Sequence, residues 1–246
     1  MAYEELKKII DGAKNIVFFG GAGVSTESNI PDFRSETGLY NAKQEFGFPP
    51  EEMLSHDFFM RHTKTFYDYY KKNLVYEDAQ PNKAHLALAK LEEQGKLLAV
   101  VTQNVDGLHQ KAGSKKVYEL HGSAARNYCM GCKAEFDMEY VMDPANCEDG
   151  VPHCKHCGAI IKPDVVLYGE PLDSEVIEGA VNAISKADVL IIGGTSLAVY
   201  PAAGFVNYFR GNYIVLINKD KTQNPIRVDL EINDPIGEVL GEVVGV

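Results

Sequence analysis

No apolar run in this 246-residue chain approaches the length needed to span a bilayer. The opening residues, MAYEELKKIIDGAKN, show a short amphipathic helix pattern and lack the apolar core of a secretory signal. Basic residues are outnumbered, 24 Lys and Arg against 35 Asp and Glu, for a net charge of -11. That balance argues against a broad nucleic-acid-binding face. It suits a basic partner such as a lysine-rich peptide, although solubility alone explains most acidic chains. Internal repeats and low-complexity tracts are absent as well. These absences lead to the expectation of a soluble, cytoplasmic protein with no nucleic-acid or membrane partner. At 45% hydrophobic residues the chain is globular, with length for one large domain or a main domain plus a smaller one.

Short apolar runs at Ile16–Phe19, Leu98–Thr102, Val117–Leu120, Val189–Ile192 and Tyr213–Ile217 read as buried strands. Helical patterns at Asn82–Gln94 and Asp173–Ser185 alternate with them, which indicates an α/β fold with a mostly parallel sheet. Leu86, Leu88, Ala89 and Leu91 supply the apolar face of the first helix, and Gly95 stands where a C-terminal stop belongs. Two segments break the rhythm. Residues from about 41 to 80 are aromatic-rich and helical in pattern; those from about 124 to 163 carry all five cysteines. Both read as insertions that pack together as a second domain, leaving a ligand crevice at the carboxyl ends of the strands.

Four of the cysteines form two C-x2-C units, Cys129/Cys132 and Cys154/Cys157. Two thiolates so spaced converge on one side of a tight turn, and two such turns complete a tetrahedron around Zn²⁺. A site closed by four thiolates leaves no position for water or substrate, so the ion is structural and zinc hydrolysis is off the list. Cys147, His153 and His156 are read as bystanders.

Three strand ends look like nucleotide contacts: Gly21-Ala22-Gly23, Gly193-Gly194-Thr195-Ser196, and Asn218. Small or polar residues there present N–H groups and hydroxyls to phosphate or ribose. The first departs from the usual glycine-rich fingerprint: Ser25 and Thr26 stand where a third glycine is expected, and Pro31-Asp32-Phe33-Arg34 follows. A fourth strand end carries Gln103-Asn104-Val105-Asp106, and His121-Gly122 follows a fifth. Amides, an acid and a histidine in one crevice equip it to handle ribose hydroxyls rather than to transfer hydride.

Taken in order, GAGVSTESNIPDFR, TQNVDGLH, LHG, the paired C-x2-C, KPDVVLYGE, GTSLAVYPAA and LINKDKT resemble the sirtuins, NAD-dependent protein lysine deacylases of bacterial type, over nearly the whole chain. The resemblance implies a Rossmann-like parallel sheet with helices on both faces and a smaller inserted domain made of a zinc-ribbon module and a helical module. The division would be 1–40, 81–123 and 164–246 for the NAD-binding domain, 41–80 for the helical module and 124–163 for the zinc-binding module. It implies that the loop after the glycine turn closes over NAD. Ala22, Thr26 and Arg34 would hold phosphates and ribose, and Phe33 would shield the reacting ribose face. Asp32 belongs to the loop's signature. Val105 and Asp106 would grip the carboxamide; Gln103 and Asn104 would face the nicotinamide ribose and an ordered water. Thr195, Ser196 and Asn218 would take the adenosine half, with Ile236 near adenine.

His121 is implied as the general base, with Asn104 beside it. The reaction would remove acetyl or other uncharged acyl groups from lysine and yield nicotinamide, O-acetyl-ADP-ribose and free lysine. An extended acetylated peptide would add as a strand between Val165-Val166-Leu167-Tyr168-Gly169 and Leu197-Ala198-Val199-Tyr200. The expected state is a monomer with one structural zinc per chain.

Asn29 replaces the family's glycine before the I-P-D-F-R run, and Asn tolerates left-handed backbone well. Members that prefer succinyl or malonyl lysine carry a Tyr-x-x-Arg pair; here the region reads FYDYYKKN, without an arginine in register, while Lys72 after Tyr69 keeps a weak acidic-acyl activity open. The main alternative is NAD-dependent ADP-ribosyl transfer to protein. An NAD-sensing binding module and a dehydrogenase rank below it.

Overall fold

A computed structural model describes residues 2–32, 43, 45–219 and 226–246. Phe33 and Arg34 lie outside the described residues.

The strands in chain order are β1 (Ile16–Gly20), β2 (Leu97–Thr102), β3 (Val117–Glu119), β4 (Gly122–Cys129), β5 (Glu135–Asp137), β6 (Cys147–Glu148), β7 (Val151–Pro152), β8 (Ile161–Val165), β9 (Val189–Gly193), β10 (Tyr213–Ile217) and β11 (Leu230–Ile232). Six of them form one sheet in the order β11-β10-β9-β1-β2-β3, every pairing parallel. The chain leaves β1 toward β2 and β3, then returns to β1's other side with β9. The β1/β9 junction is therefore the topological switch point, and ligands bind such sheets there, beyond the carboxyl ends of the strands.

The uninterrupted apolar character of β1 and β9 follows from burial on both faces. Ile16 and Phe18 face a core shared with the helices Ala2–Gly12, Lys83–Glu93 and Ile236–Val244. Val17 and Phe19 face the opposite core, with Ala180 and Ile184 of the helix Ser174–Lys186 and the turns around Phe205. The helix Lys83–Glu93 buries Ala84, His85, Ala87, Leu88 and Leu91, while Leu86 is exposed. This corrects its expected apolar face: the 3.6-residue period puts 84, 87, 88 and 91 on one side and rotates 86 outward. Gly95 takes the left-handed backbone (φ +72) that a helix stop requires.

The chain's other strands build an antiparallel sheet, β5-β4-β8, and a short ribbon, β6-β7. Phe58, Phe59, Phe66, Tyr67 and Tyr70 from the helices His56–Arg61 and Thr63–Asn73 share one apolar cluster with Cys129, Phe136, Val141, Cys154 and Ile161. Tyr67 donates its hydroxyl proton to the carbonyl of Ile161 across that cluster. The two insertions thus pack on each other. Arg126 ties them to the main sheet, bonding Glu119 beside β3's end at 2.8 Å and Asp164 of β8 at 2.9 Å.

A buried histidine pair sits behind the crevice. His85 and His109 stack edge to face with centroids 4.7 Å apart. Neither ring nitrogen of His109 has a partner among the described residues. Burial pushes both rings well below the usual imidazole range; for His109 burial and then the neighbouring ring bring it to about 3. The fold holds them neutral, whereas the unfolded chain takes up their protons below about pH 6.5. Stability is therefore unaffected by the pair above that pH and is lost as pH falls from there toward the folded values. At pH 5 the expected loss is roughly 2 kcal/mol for each ring. Urea unfolding from pH 7 to 5 checks this: His109→Leu should flatten the dependence near pH 5 by about 1.4 kcal/mol per pH unit. An unchanged slope would assign the acid sensitivity elsewhere.

Candidate active site at the switch point

The crevice is assembled from the ends of β1, β2, β3, β9 and β10. After β1, residues 22–24 and 26–28 make two 3₁₀ turns in place of a regular helix, which is how the chain accommodates Pro31. Asn29 closes the second turn in the left-handed region (φ 62, ψ 23). The Gly23 N–H donates to the carbonyl of Gly194 at 2.8 Å, and a Cβ on Gly23 would lie 2.8 Å from the Gly194 Cα. Only glycine lets the turn after β1 touch the turn after β9 so closely. Thr26 donates to the Gly23 carbonyl at 2.9 Å, Ala22 is half-buried, and Asp32 is half-buried at the end of the described stretch.

Across the junction, Asn218 at the end of β10 holds the turn after β9 at two points. Its Oδ1 accepts from the Thr195 N–H at 3.0 Å and its Nδ2 donates to the Thr195 carbonyl at 2.9 Å. Gln103 reaches from β2 to the Thr195 hydroxyl at 3.1 Å. Ile236 is buried, its side chain lying where a Cβ on Gly193 would stand, while Ser196 is exposed.

On the β2 side, Asn104 Nδ2 donates to the Ser25 hydroxyl at 3.1 Å, and Ser25 donates to Asp106 Oδ2 at 2.6 Å. The other Asp106 oxygen accepts the Leu108 N–H at 2.9 Å. Val105 gives its carbonyl to the Ala124 N–H at 2.9 Å. The chain Asn104–Ser25–Asp106 joins two strand ends, and Ser25 is the member that sequence reasoning missed. Its only signal was its place directly after the glycine turn. Glu27 was missed likewise: its carboxylate accepts the Gly237 N–H at 2.6 Å at the start of the C-terminal helix, where a negative charge meets unpaired N–H groups.

His121 follows β3. Its Nδ1 lies 3.0 Å from the Gln103 carbonyl. A carbonyl only accepts, so Nδ1 carries the proton and Nε2 keeps its lone pair. Burial moves the imidazole below its ordinary pKa, against the opposing pull of that hydrogen bond. The ring is thus neutral at physiological pH, with one nitrogen able to take a proton. The His121 carbonyl accepts the Val166 N–H at 3.0 Å, and Gly122 (φ +76) packs its Cα on the Asp164 carbonyl, where no side chain fits.

This contact connects His121 to the segment after β8. Val165 and Leu167 are buried, Val166 is half-buried, and Tyr168 and Gly169 are exposed. Tyr168 pairs in parallel with Ser55, and Glu170 anchors the turn by accepting from the Leu167 N–H at 2.9 Å and from Lys162 at 3.1 Å. In the segment after β9, Leu197 is buried, Val199 half-buried, and Ala198 and Tyr200 exposed.

The four paired cysteines meet beyond the Cys129 end of β4, their sulfurs all within 4.8 Å of one another. The Sγ separations are 3.4 Å for Cys129–Cys157 and 3.6 Å for Cys132–Cys154. A tetrahedron with Zn–S near 2.3 Å has edges of about 3.8 Å, so the set fits zinc. The Cys132 N–H, 3.3 Å from the Cys129 sulfur, lowers that thiol to about 6 against the opposing effect of burial. His153 bonds the Gly158 carbonyl instead, and Cys147 contacts Lys71, so neither joins the cluster.

Sheet order, switch point and polar strand ends define a dinucleotide-binding α/β protein carrying a thiolate-held insert. Residues 21–201 match the model of the Sir2 family. The NAD-dependent protein deacetylases of Clostridium perfringens (strain 13 / Type A) and Clostridium acetobutylicum are 61% and 60% identical, each match covering 98% of this chain and 97% of the relative. A solved Sir2 structure with p53 peptide and NAD+ superimposes with a TM-score of 0.85 at 36% identity, covering 99% of this chain and 97% of that one. The chain belongs to the Sir2 family.

Proposed function

We infer that this chain is an NAD-dependent protein-lysine deacetylase that releases nicotinamide, O-acetyl-ADP-ribose and free lysine, with His121 as its general base. The observation that carries this reading is the His121 tautomer: the Gln103 carbonyl holds the proton on Nδ1 and leaves Nε2 basic, at the end of the strand next to the one that presents Asn104. An amide oxygen is a poor nucleophile. The attack of the acetyl-lysine carbonyl on the ribose carbon therefore depends on near-in-line positioning as nicotinamide departs. His121 Nε2 then accepts the ribose hydroxyl proton, the 2′-oxygen attacks the imidate carbon, and water completes release of the amine. Asn104 orients the ribose and water, with Ser25 fixing its amide.

For cofactor binding we assign Ala22 and Thr26, with Asp32, Phe33 and Arg34, to the loop over the phosphates and reacting ribose. Gln103, Val105 and Asp106 take the nicotinamide half, and Thr195, Ser196, Asn218 and Ile236 the adenosine half. The peptide is assigned to 165–169 and 197–200, where Tyr168, Gly169, Ala198 and Tyr200 are exposed. Zinc would be held by Cys129, Cys132, Cys154 and Cys157 and would supply only structural cross-linking. We also assign a discontinuous NAD-binding domain (1–40, 81–123, 164–246) with helical (41–80) and zinc (124–163) modules, a reading supported by the separate antiparallel sheet and the shared aromatic cluster. Among the described residues no helix is long and apolar enough to cross a membrane. We also propose a cytoplasmic monomer, and the net charge of -11 argues against a nucleic-acid partner.

Mass spectrometry of products from NAD with an acetyl-lysine peptide and its unacetylated twin tests the reading. Nicotinamide and O-acetyl-ADP-ribose should appear together and only with the acetylated peptide. ADP-ribose retained on protein with both peptides would put ADP-ribosyl transfer in its place.

Acyl preference follows from the helical module. Tyr67 and Tyr70 are fully buried and Tyr67 is committed to Ile161; Lys72 is exposed and paired with Glu45 at 2.5 Å. The helix's other lysines are engaged as well, Lys64 with Asp68 and Lys71 with Cys147 and the Gly150 carbonyl. Succinyl-lysine peptide should turn over at least about ten-fold more slowly than acetyl-lysine, the cost of about 1.4 kcal/mol or more for an unpaired carboxylate. Equal kcat/KM for the two peptides would refute this.

A further inference from the structure

The stretch Gly21–Ser28 carries no regular helix, yet it must present a fixed set of N–H groups and hydroxyls. On the crevice side it is held by Gly21 on Gly193, Gly23 on Gly194, Ser25 on Asp106 and Asn104, and Glu27 on Gly237. A further restraint comes from behind, from the N-cap of the helix Lys83–Glu93. Asn82 Nδ2 donates to the Val24 carbonyl at 2.7 Å and to the Ser28 hydroxyl at 3.0 Å. Val24 itself is fully buried, so its carbonyl depends on a protein donor. Asn82 meanwhile caps its own helix: Oδ1 accepts the Ala84 N–H at 2.9 Å, and the Asn82 N–H donates to His85 Nδ1 at 3.2 Å. One amide thus uses its acceptor for the helix and its two donors for the turn.

We propose that Asn82 is a positioning residue for the cofactor, holding the Gly21–Ser28 turn in the arrangement that receives NAD. The proposal rests on the reading of that turn as the phosphate and ribose site. Without the Nδ2 bonds, both 3₁₀ turns lose their link to the helix, and short 3₁₀ turns have weak bonding of their own. The turn then spends part of its time out of register. Apparent affinity falls by the fraction of molecules that remain competent. Two hydrogen bonds lost on the rear side correspond to about a five- to ten-fold weaker Kd for NAD.

The two duties of Asn82 separate by chemistry. Asp and Ser are helix caps about as good as Asn, but neither carries the amide donors. Asn82→Asp and Asn82→Ser should therefore keep the helix cap and unfold, ligand-free, at a higher temperature than Asn82→Ala. Both should bind NAD and ADP-ribose about five- to ten-fold more weakly by isothermal titration calorimetry, with KM for NAD rising by the same factor and KM for acetylated peptide unmoved. Asn82→Ala, which removes the cap too, should lose thermal stability as well as affinity. The proposal falls if wild type binds NAD and the Asp and Ser variants bind it equally tightly. It falls equally if affinity drops only in proportion to lost thermal stability across all three variants, or if KM for peptide rises with KM for NAD. Wild type that binds NAD but leaves acetyl-lysine intact would overturn the deacetylase reading alone, and the calorimetric comparison would still decide the role of Asn82.

Discussion

His121→Ala should retain NAD binding and lose deacetylation by about 10²- to 10⁴-fold, the usual contribution of a positioned general base. The substitution removes a ring that, among the described residues, donates from Nδ1 to the Gln103 carbonyl. The contacts assigned to adenosine, through Asn218 and Thr195, lie on the other side of the β1/β9 junction. Binding and chemistry should therefore separate. Nicotinamide departure requires positioning more than a base, so slow NAD cleavage without free lysine is the expected residual behaviour. The pH profile supplies an independent reading. Burial holds the His121 pKa below its ordinary 6.5, so the neutral base is already present above that pH. The acid limb of kcat/KM should lie below pH 6.5, with activity falling as pH drops through the folded pKa, and should vanish in the residual activity of His121→Ala. A fully active His121→Ala enzyme would falsify the general-base assignment.

Cys129→Ala should lose zinc and, with it, the structure of the insert. Cys129 and Cys154 are members of the aromatic cluster as well as of the thiolate set, so the ion and the apolar core close on the same point. Apparent zinc affinities of such sites, about 10–16 kcal/mol, match or exceed the whole stability of an ordinary domain at about 5–15 kcal/mol. The effect should reach the active site although no cysteine touches it. β4 runs from Gly122, next to His121, to Cys129, and β8 runs from the cysteine end to Val165, next to the proposed peptide segment. Loss of the thiolate end frees both strands at once. The expected result is one zinc per chain in wild type, none in Cys129→Ala, collapse of protease resistance over about 124–163, and loss of deacetylation. Cys147→Ser, outside the cluster, should keep its zinc. Metal-free protein with full activity and native protease resistance would show that the thiolates need no ion.

Much of this architecture is local and so was legible in the sequence. The five apolar runs read as strands are strands, with ends moved by a residue at most, because burial on both faces demands continuous apolar character over a few residues. The helix Lys83–Glu93 and its Gly95 stop follow from neighbouring residues alone, and the two C-x2-C units are each a single turn. Short β11 escaped notice: Leu230–Ile232 is three residues long, and Glu231 interrupts it. Leu86 was misplaced because counting apolar residues does not rotate them about the helix axis.

The sequence alone determined which chemical groups stand at the strand ends and that four thiolates come in two pairs. It carried enough ordered motifs to reveal the family. Tertiary structure decided which ends meet. Ser25 reaches Asp106 because β1 lies beside β2; Gly23 touches Gly194 because β9 lies on β1's other side; Asn82 holds the Val24 carbonyl because its helix packs behind both. The reason is range. Backbone preference and hydrophobic period act over a few residues, whereas these hydrogen bonds join residues dozens of positions apart, and only the packing order of the sheet brings them within 3 Å.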